Sequence, residues 1–217
     1  MGFFSWITSW KRTKTNATVV PAPKKKRRRR LPKRLSRDEI AALLDAPDID
    51  TWRGRRDRAM LVVLYRAGLR VSEVVALRPR DVDLETGAVH VWEGKGGVDR
   101  TSYLDPRSVA PVLNQWYADR EAIAGDNDPI FCKEDGSALT TRSVQYAVRA
   151  YKEKAGITSP CTPHVLRHTF ASELLEEGLS TREVQVLLGH ASVATTEIYT
   201  HVAESRLAER VRARGVE

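Results

Sequence analysis

The sequence predicts an α+β fold that is mainly α: a mixed helical domain carrying one small antiparallel hairpin. Three observations lead there. Apolar residues recur at helical spacing in runs that halt at Gly68, Gly156, Gly178 and Gly189, and glycine most easily takes the left-handed turn after a helix. Two capping boxes, Ser36 with Glu39 and Ser180 with Glu183, mark helix starts. Two short stretches have strand character, and a glycine-rich tip joins them.

Taken in order, the first helix follows Ser36 and places Ile40, Leu43 and Leu44 on one face. A second runs through Arg58–Ala67 and stops at Gly68, and a short one follows around Val71–Leu77. Ala88–Trp92 and Arg100–Leu104 are the hairpin strands, and Glu93–Asp99, with three glycines, is their exposed tip. Pro106 starts a helix running towards Ala124, since a first-turn proline loses only an N–H that has no helical partner anyway. Thr141–Ala155 is the next helix, ended by Gly156. His164–Glu176 stops at Gly178, and Ser180 leads into Val184–Leu188 and Gly189. Thr195–His201 and Ala203–Arg214 complete the chain, the latter with Leu207 and Val211 one turn apart among charges. There is no internal repeat.

At 217 residues, 41% hydrophobic and 29% charged, the chain has the composition of a globular domain with a tail, which excludes wholesale disorder. Its net charge of +8 is unevenly spread. Residues 1–34 hold 12 Lys and Arg with no acid, which leaves 24 basic against 28 acidic residues, a balance of −4, for residues 35–217. Residues 1–34 therefore read as a basic, disordered arm. Within it Lys24, Lys25, Lys26, Arg27, Arg28, Arg29 and Arg30 form a self-repelling, solvated block. Three uses fit that arm: a solvated leader, a phosphate-binding segment, or adsorption to a membrane through the aromatic head of Phe3, Phe4, Trp6 and Trp10. Two cysteines, Cys132 and Cys161, are too few for a disulfide framework and suit a reducing compartment. No apolar run reaches the roughly 20 residues of a membrane span, and the N-terminal order of apolar and charged residues reverses that of a secretory signal. The expectation is a cytoplasmic protein without a membrane partner.

Four of the five histidines (His164, His168, His190 and His201) fall in the last 54 residues. His164 and Arg167 are i and i+3 on one helix face, and His164 and His168 are i and i+4. A metal site is disfavoured, because neither HExxH nor a CxxC pair is present. Histidine with arginine also binds oxyanions, the guanidinium through permanently charged bidentate contacts. Arg70, after Gly68-Leu69 at a helix boundary, is a second anion-binding candidate. Taken singly, Arg70 reads equally as a solvated helix start, His164 as a capped polar residue and Arg167 as an ion-pair partner of Glu173 or Glu177.

The ordered combination says more. Gly68-Leu69-Arg70-Val71-Ser72-Glu73, then Gly94-Lys95-Gly96, then His164-x-x-Arg167-His168, then Leu188-Gly189-His190, then Thr195-Thr196-x-x-Tyr199 resembles the catalytic domain of the tyrosine recombinase (phage integrase) family from Leu35 to Val211. The resemblance implies site-specific DNA recombination by transesterification, in which a tyrosine hydroxyl attacks a phosphodiester and forms a 3′-phosphotyrosyl link. Tyr199 matches the nucleophile, and Arg70, Arg167 and His190 match the phosphate-binding positions. Lys95 matches the donor to the departing 5′-oxygen, His164 a proton shuttle or phosphate donor, and Glu73 the acidic partner that orients basic side chains. Arg100 joins Arg70, Lys95 and Arg167 among the expected DNA contacts, with Lys24–Arg30 as a further candidate. No cofactor or metal is expected. The implied partners are double-stranded DNA, further copies of the chain as dimer or tetramer, and accessory DNA-binding proteins. The last helix, 203–214, is either an element exchanged with a neighbouring protomer or one packed on its own core.

Two features depart from the family pattern. Most members carry a helical core-binding domain ahead of the catalytic domain, whereas only about 34 residues precede the first helix here, so that domain is expected to be missing. Val98 stands where a second basic hairpin residue is common. Two other outcomes therefore remain open from sequence. One is the same chemistry in a type IB topoisomerase or hairpin telomere resolvase, and the other is a non-catalytic DNA-binding accessory protein derived from the family.

Overall fold

The computed structural model describes residues 34–94, 98–189 and 211–212, and among these the chain forms seven α-helices and one two-stranded antiparallel sheet. Helix α1 (Arg37–Asp45) starts as expected, with Ser36 Oγ accepting from the Glu39 amide and Glu39 Oε2 accepting from the Ser36 amide. Helix α2 (Trp52–Arg66) is the centre of the domain. Its residues from Ala59 to Tyr65 are all buried, and it packs against both α4 (Pro106–Arg120) and α6 (Pro163–Glu176). A helix apolar all round its circumference belongs inside.

Helix α2 begins six residues before the expected Arg58, capped by Thr51 Oγ1 on the Gly54 amide at 3.0 Å. The run Trp-Arg-Gly-Arg-Arg-Asp-Arg lacks an apolar period, yet it is held by specific contacts. Arg56 donates to Asp57 Oδ1 and to the Cys132 carbonyl, and its guanidinium lies 5.1 Å from the Trp52 ring centre. Trp52 in turn stacks on Trp116, and Tyr151 Oη donates to Asp57 Oδ2. Helix α4 stops at Arg120 rather than near Ala124. The buried Arg120 guanidinium folds back to bond the carbonyls of Ala124, Gly125, Asp128 and Pro129, which shapes a loop where the helix would have continued.

Short helix α3 (Val71–Ala76) and a single 3-10 turn at Pro79–Asp81 lead to the hairpin of β1 (Ala88–Gly94) and β2 (Val98–Tyr103). Ala88 pairs with Tyr103 and Val91 with Arg100, and the register shifts between Val91 and Gly94. The strands alternate as a one-sided sheet should. Val89 and Val91 are buried, whereas His90 and Trp92 lie outside, with Trp92 Nε1 donating to Asp81 Oδ1 at 2.7 Å. Ser102 on β2 is fully buried and donates to the Ala67 carbonyl at 2.7 Å, tying the hairpin to the end of α2. Helix α5 (Thr141–Lys154) follows α4, and α7 (Thr181–Leu188) packs on α6 and β2.

The expected helices Thr195–His201 and Ala203–Arg214 lie outside the described residues, apart from Val211 and Arg212. Those two pack on the chain's own body: Val211 is buried, and Arg212 Nε donates to the Thr86 carbonyl with its guanidinium 5.8 Å from the Tyr103 ring centre. Among the described residues no helix is long and apolar enough to cross a membrane.

Gly68, just past α2, has φ +59°, and a Cβ there would lie 2.4 Å from the Phe170 ring. Gly156 takes a similar φ of +67° after α5 but faces open space. Gly68→Ala is expected to destabilise the fold by about 2–4 kcal/mol, combining left-handed strain with overpacking. Gly156→Ala should cost only about 1 kcal/mol, from backbone strain alone. Urea denaturation of the two variants measures the difference; equal losses would mean that Phe170 is not what demands glycine at position 68.

Candidate active site

The site is built on two helix ends. After the left-handed turn at Gly68, buried Leu69 anchors the chain and Arg70 takes an extended conformation (φ −72°, ψ 152°) as the residue before α3. Arginine is a poor helix cap, and Glu73 three residues on does that work. Its Oε2 accepts from the Arg70 amide at 2.6 Å, which satisfies one of the amides a helix start leaves without a partner.

The same carboxylate gathers three guanidinium groups. Oε1 accepts from Arg70 Nη1 at 2.7 Å and from Arg100 Nη1 at 2.8 Å. Oε2 accepts from Arg100 Nη2 at 2.7 Å, while Arg167 Nη1 stands 3.9 Å away. Side-chain exposure is 6% for Glu73, 5% for Arg100, 8% for Arg167 and 23% for Arg70, so Arg70 is the outermost member. Arg167 spends its own donors on backbone, bonding the Gly68 carbonyl at 2.6 Å and the Leu188 carbonyl at 2.5 Å.

The second helix end is the last turn of α7, whose final carbonyls have no partner within the helix. Leu187 O accepts from Arg100 Nε at 3.0 Å, Leu188 O from Arg167, and Gly189 O from Arg70 Nη2 at 2.9 Å. The Gly189 amide closes the two preceding carbonyls, Gln185 and Val186. Three cations thus sit at the negative end of one helix, where the backbone dipole favours them. Gly189 has φ +63°, and a Cβ there would lie 2.7 Å from Arg100 Cδ, so this approach of arginine to backbone requires glycine.

Burial alone would raise the Glu73 carboxyl. The Arg100 hydrogen bonds, the Arg70 amide and the charge of Arg100 outweigh it and hold the group at about 2, below its ordinary 4.5. Its contribution to stability is therefore complete above about pH 4.5 and fades as pH falls through about 2. Arg167 also falls, and for a guanidinium a fall disfavours the charged form. Burial, then the charge of Arg70, brings it down to about 10 against the pull of Glu73, and Arg100 adds to the fall. It remains protonated at neutral pH. One carboxylate against three guanidiniums leaves local positive charge inside an otherwise acidic body.

Of the residues singled out from sequence, Arg70, Glu73 and Arg167 come together here. His164 is exposed on α6, one turn before Arg167. His168 is half-buried, and its carbonyl accepts from Ser172 Oγ. Arg100 departs from expectation. It was expected among the DNA contacts, but its side chain is buried and spent on Glu73 and Leu187 O, so it points inward. Arg100 and Ser102 share the inner face of β2, and two polar residues at that spacing carry no sign of facing a core. Lys95, His190, Tyr199 and the arm residues Lys24–Arg30 lie outside the described residues. Among the described residues no three His, Cys, Asp or Glu side chains converge to hold a metal ion.

Residues 33–206 match the phage integrase family. The tyrosine recombinase XerD of Ralstonia nicotianae is 41% identical over 213 residues, covering 94% of this chain and 67% of the relative. Among solved structures, XerA recombinase aligns with a TM-score of 0.68 at 37% identity, over 84% of this chain and 66% of that one. XerH site-specific recombinase, captured on its palindromic difH substrate after cleavage, aligns with a TM-score of 0.65 at 32% identity, over 83% of this chain and 52% of that one. The chain thus spans about two thirds of its curated relative, and fold, family match and identity agree: it belongs to the phage integrase family and carries a tyrosine recombinase catalytic domain.

Proposed function

We propose that the chain is a site-specific DNA recombinase in which Arg70 and Arg167 hold the scissile phosphate and Tyr199 attacks it. The observation that carries this reading is the Glu73-centred arginine cluster, built onto the helix end that runs directly into His190. A phosphodiester gains charge on its two non-bridging oxygens as phosphorus becomes five-coordinate. Preorganised guanidiniums stabilise that charge best when nothing must rearrange. With described partners Arg70 uses two side-chain N–H groups of its five, which leaves donors for an outside anion.

In this scheme the Tyr199 oxygen forms the new bond to phosphorus as it gives up its proton, with His164 in the shuttle position. The bond to the 5′-oxygen breaks, and Lys95 supplies the proton that oxygen takes. A phenol with pKa near 10 needs such a cationic setting to act at neutral pH. One phosphodiester is exchanged for another, so the phosphotyrosyl link conserves the bond energy and rejoining needs no nucleotide. His190 completes the phosphate set. Further copies of the chain on paired DNA sites, with accessory DNA-binding proteins, would make the exchange reciprocal. The basic arm, residues 1–34, supplies sequence-independent phosphate affinity to a body with net charge −4.

Duplex sites recovered from a randomised pool by binding, each nicked beside the cleaved position so that rejoining fails, test the chemistry. Wild-type protein should accumulate a covalent protein–DNA adduct, Tyr199→Phe should give none, and Arg70→Ala should slow adduct formation about 10²–10³-fold. An adduct from Tyr199→Phe would remove that residue as nucleophile. For the arm, deleting residues 1–30 should flatten the dependence of log K on log salt by about 0.9 for each phosphate that the arm neutralises. An unchanged slope would take the arm out of DNA binding.

A further inference from the structure

Arg100 is buried on the inner face of β2, and its side chain donates more hydrogen bonds within the cluster than that of Arg70 or Arg167. It occupies both oxygens of Glu73 and also donates to Leu187 O. A carboxylate has about four lone-pair positions. Here four donors fill them: the Arg70 amide, Arg70 Nη1, and Arg100 Nη1 and Nη2. Arg167, 3.9 Å from Oε2, is thereby kept from hydrogen-bonding Glu73 and turns to the carbonyls of Gly68 and Leu188.

We propose that Arg100 is a positioning residue for the phosphate clamp: by saturating Glu73 it keeps Arg167 off the carboxylate and leaves that charge available to the scissile phosphate. The inference rests on the recombinase reading and adds a role for a residue outside the expected catalytic set. Without Arg100, two positions on Glu73 open within easy reach of Arg167. A direct guanidinium–carboxylate bond would then discharge the clamp and draw Arg167 away from Leu188 O, loosening the end of α7. The Arg100 Nε bond to Leu187 O and its close fit against Gly189 place it where one side chain governs both effects.

The test is a double-mutant cycle in the full chain on the nicked duplex, reading the single-turnover rate of adduct formation at saturating DNA. Arg100→Gln should slow that rate about a hundredfold while changing DNA affinity less than about threefold, since the clamp matters most once charge develops. In the Glu73→Gln background the same substitution should cost less than about fivefold, because no carboxylate remains to capture Arg167. Arg100→Lys, which keeps the charge but offers a single point donor, should fall between wild type and Arg100→Gln. Circular dichroism melting of each variant checks folding; if Arg100→Gln fails to fold, the cycle is read with Arg100→Lys. Equal cost in both backgrounds, or normal cleavage by folded Arg100→Gln, overturns the proposal. Absence of an adduct from wild type would instead sink the recombinase reading, so the two failures are distinct.

Discussion

The buried carboxylate of Glu73 is the constraint on which the domain's chemistry depends. Burying an unpaired carboxylate is costly, and each group that offsets the cost comes from a different place: the start of α3, the inner face of β2 and, at slightly longer range, α6. Four donors satisfy its two oxygens. In such a cluster the removal of one partner leaves buried charge uncompensated, at a cost of about 3–5 kcal/mol, far more than an exposed ion pair is worth. The hairpin, the helix that follows Gly68 and the end of α7 are consequently held in one arrangement by electrostatics as well as by packing.

That arrangement accounts for a protein whose folded body is net acidic and whose chemistry nevertheless belongs to phosphate. The count of charges over residues 35–217 says little, because three cations concentrated in a poorly solvated place act with far more force than the same number spread over the surface. Gathering them requires an anion inside, and Glu73 is that anion. Residues 1–34 hold 12 further Lys and Arg as a dense run in sequence, with no acidic residue among them.

Much of this was legible from the residues. Both capping boxes, the glycine stops and the hairpin are local signals, written in a few neighbouring residues, and they reappear in the structure. Arg70, Glu73 and Arg167 were legible as a set because their spacing matches a family pattern, not because any one of them is unusual. What escaped was whatever depends on distant partners. The first six residues of α2 are helical because of Cys132, Trp116 and Tyr151, all far along the chain. Helix α4 is cut short by a buried arginine bonding four loop carbonyls. Arg100 read as a DNA contact, because its acceptor, a carbonyl at the end of a helix 87 residues away, has no side-chain signature.

The arginines grip α7 by its backbone rather than by its side chains, and this sets what evolution can change there. Leu187 and Leu188 can be exchanged for other apolar residues with no loss to the carbonyls that the arginines bond. The length of the helix has no such freedom. One residue inserted within α7 would rotate its end by about 100° and advance it by about 1.5 Å, presenting every carbonyl to the wrong guanidinium. Drift in this segment should therefore show many substitutions and almost no insertions or deletions, with glycine retained at position 189 as the fixed end of the ruler.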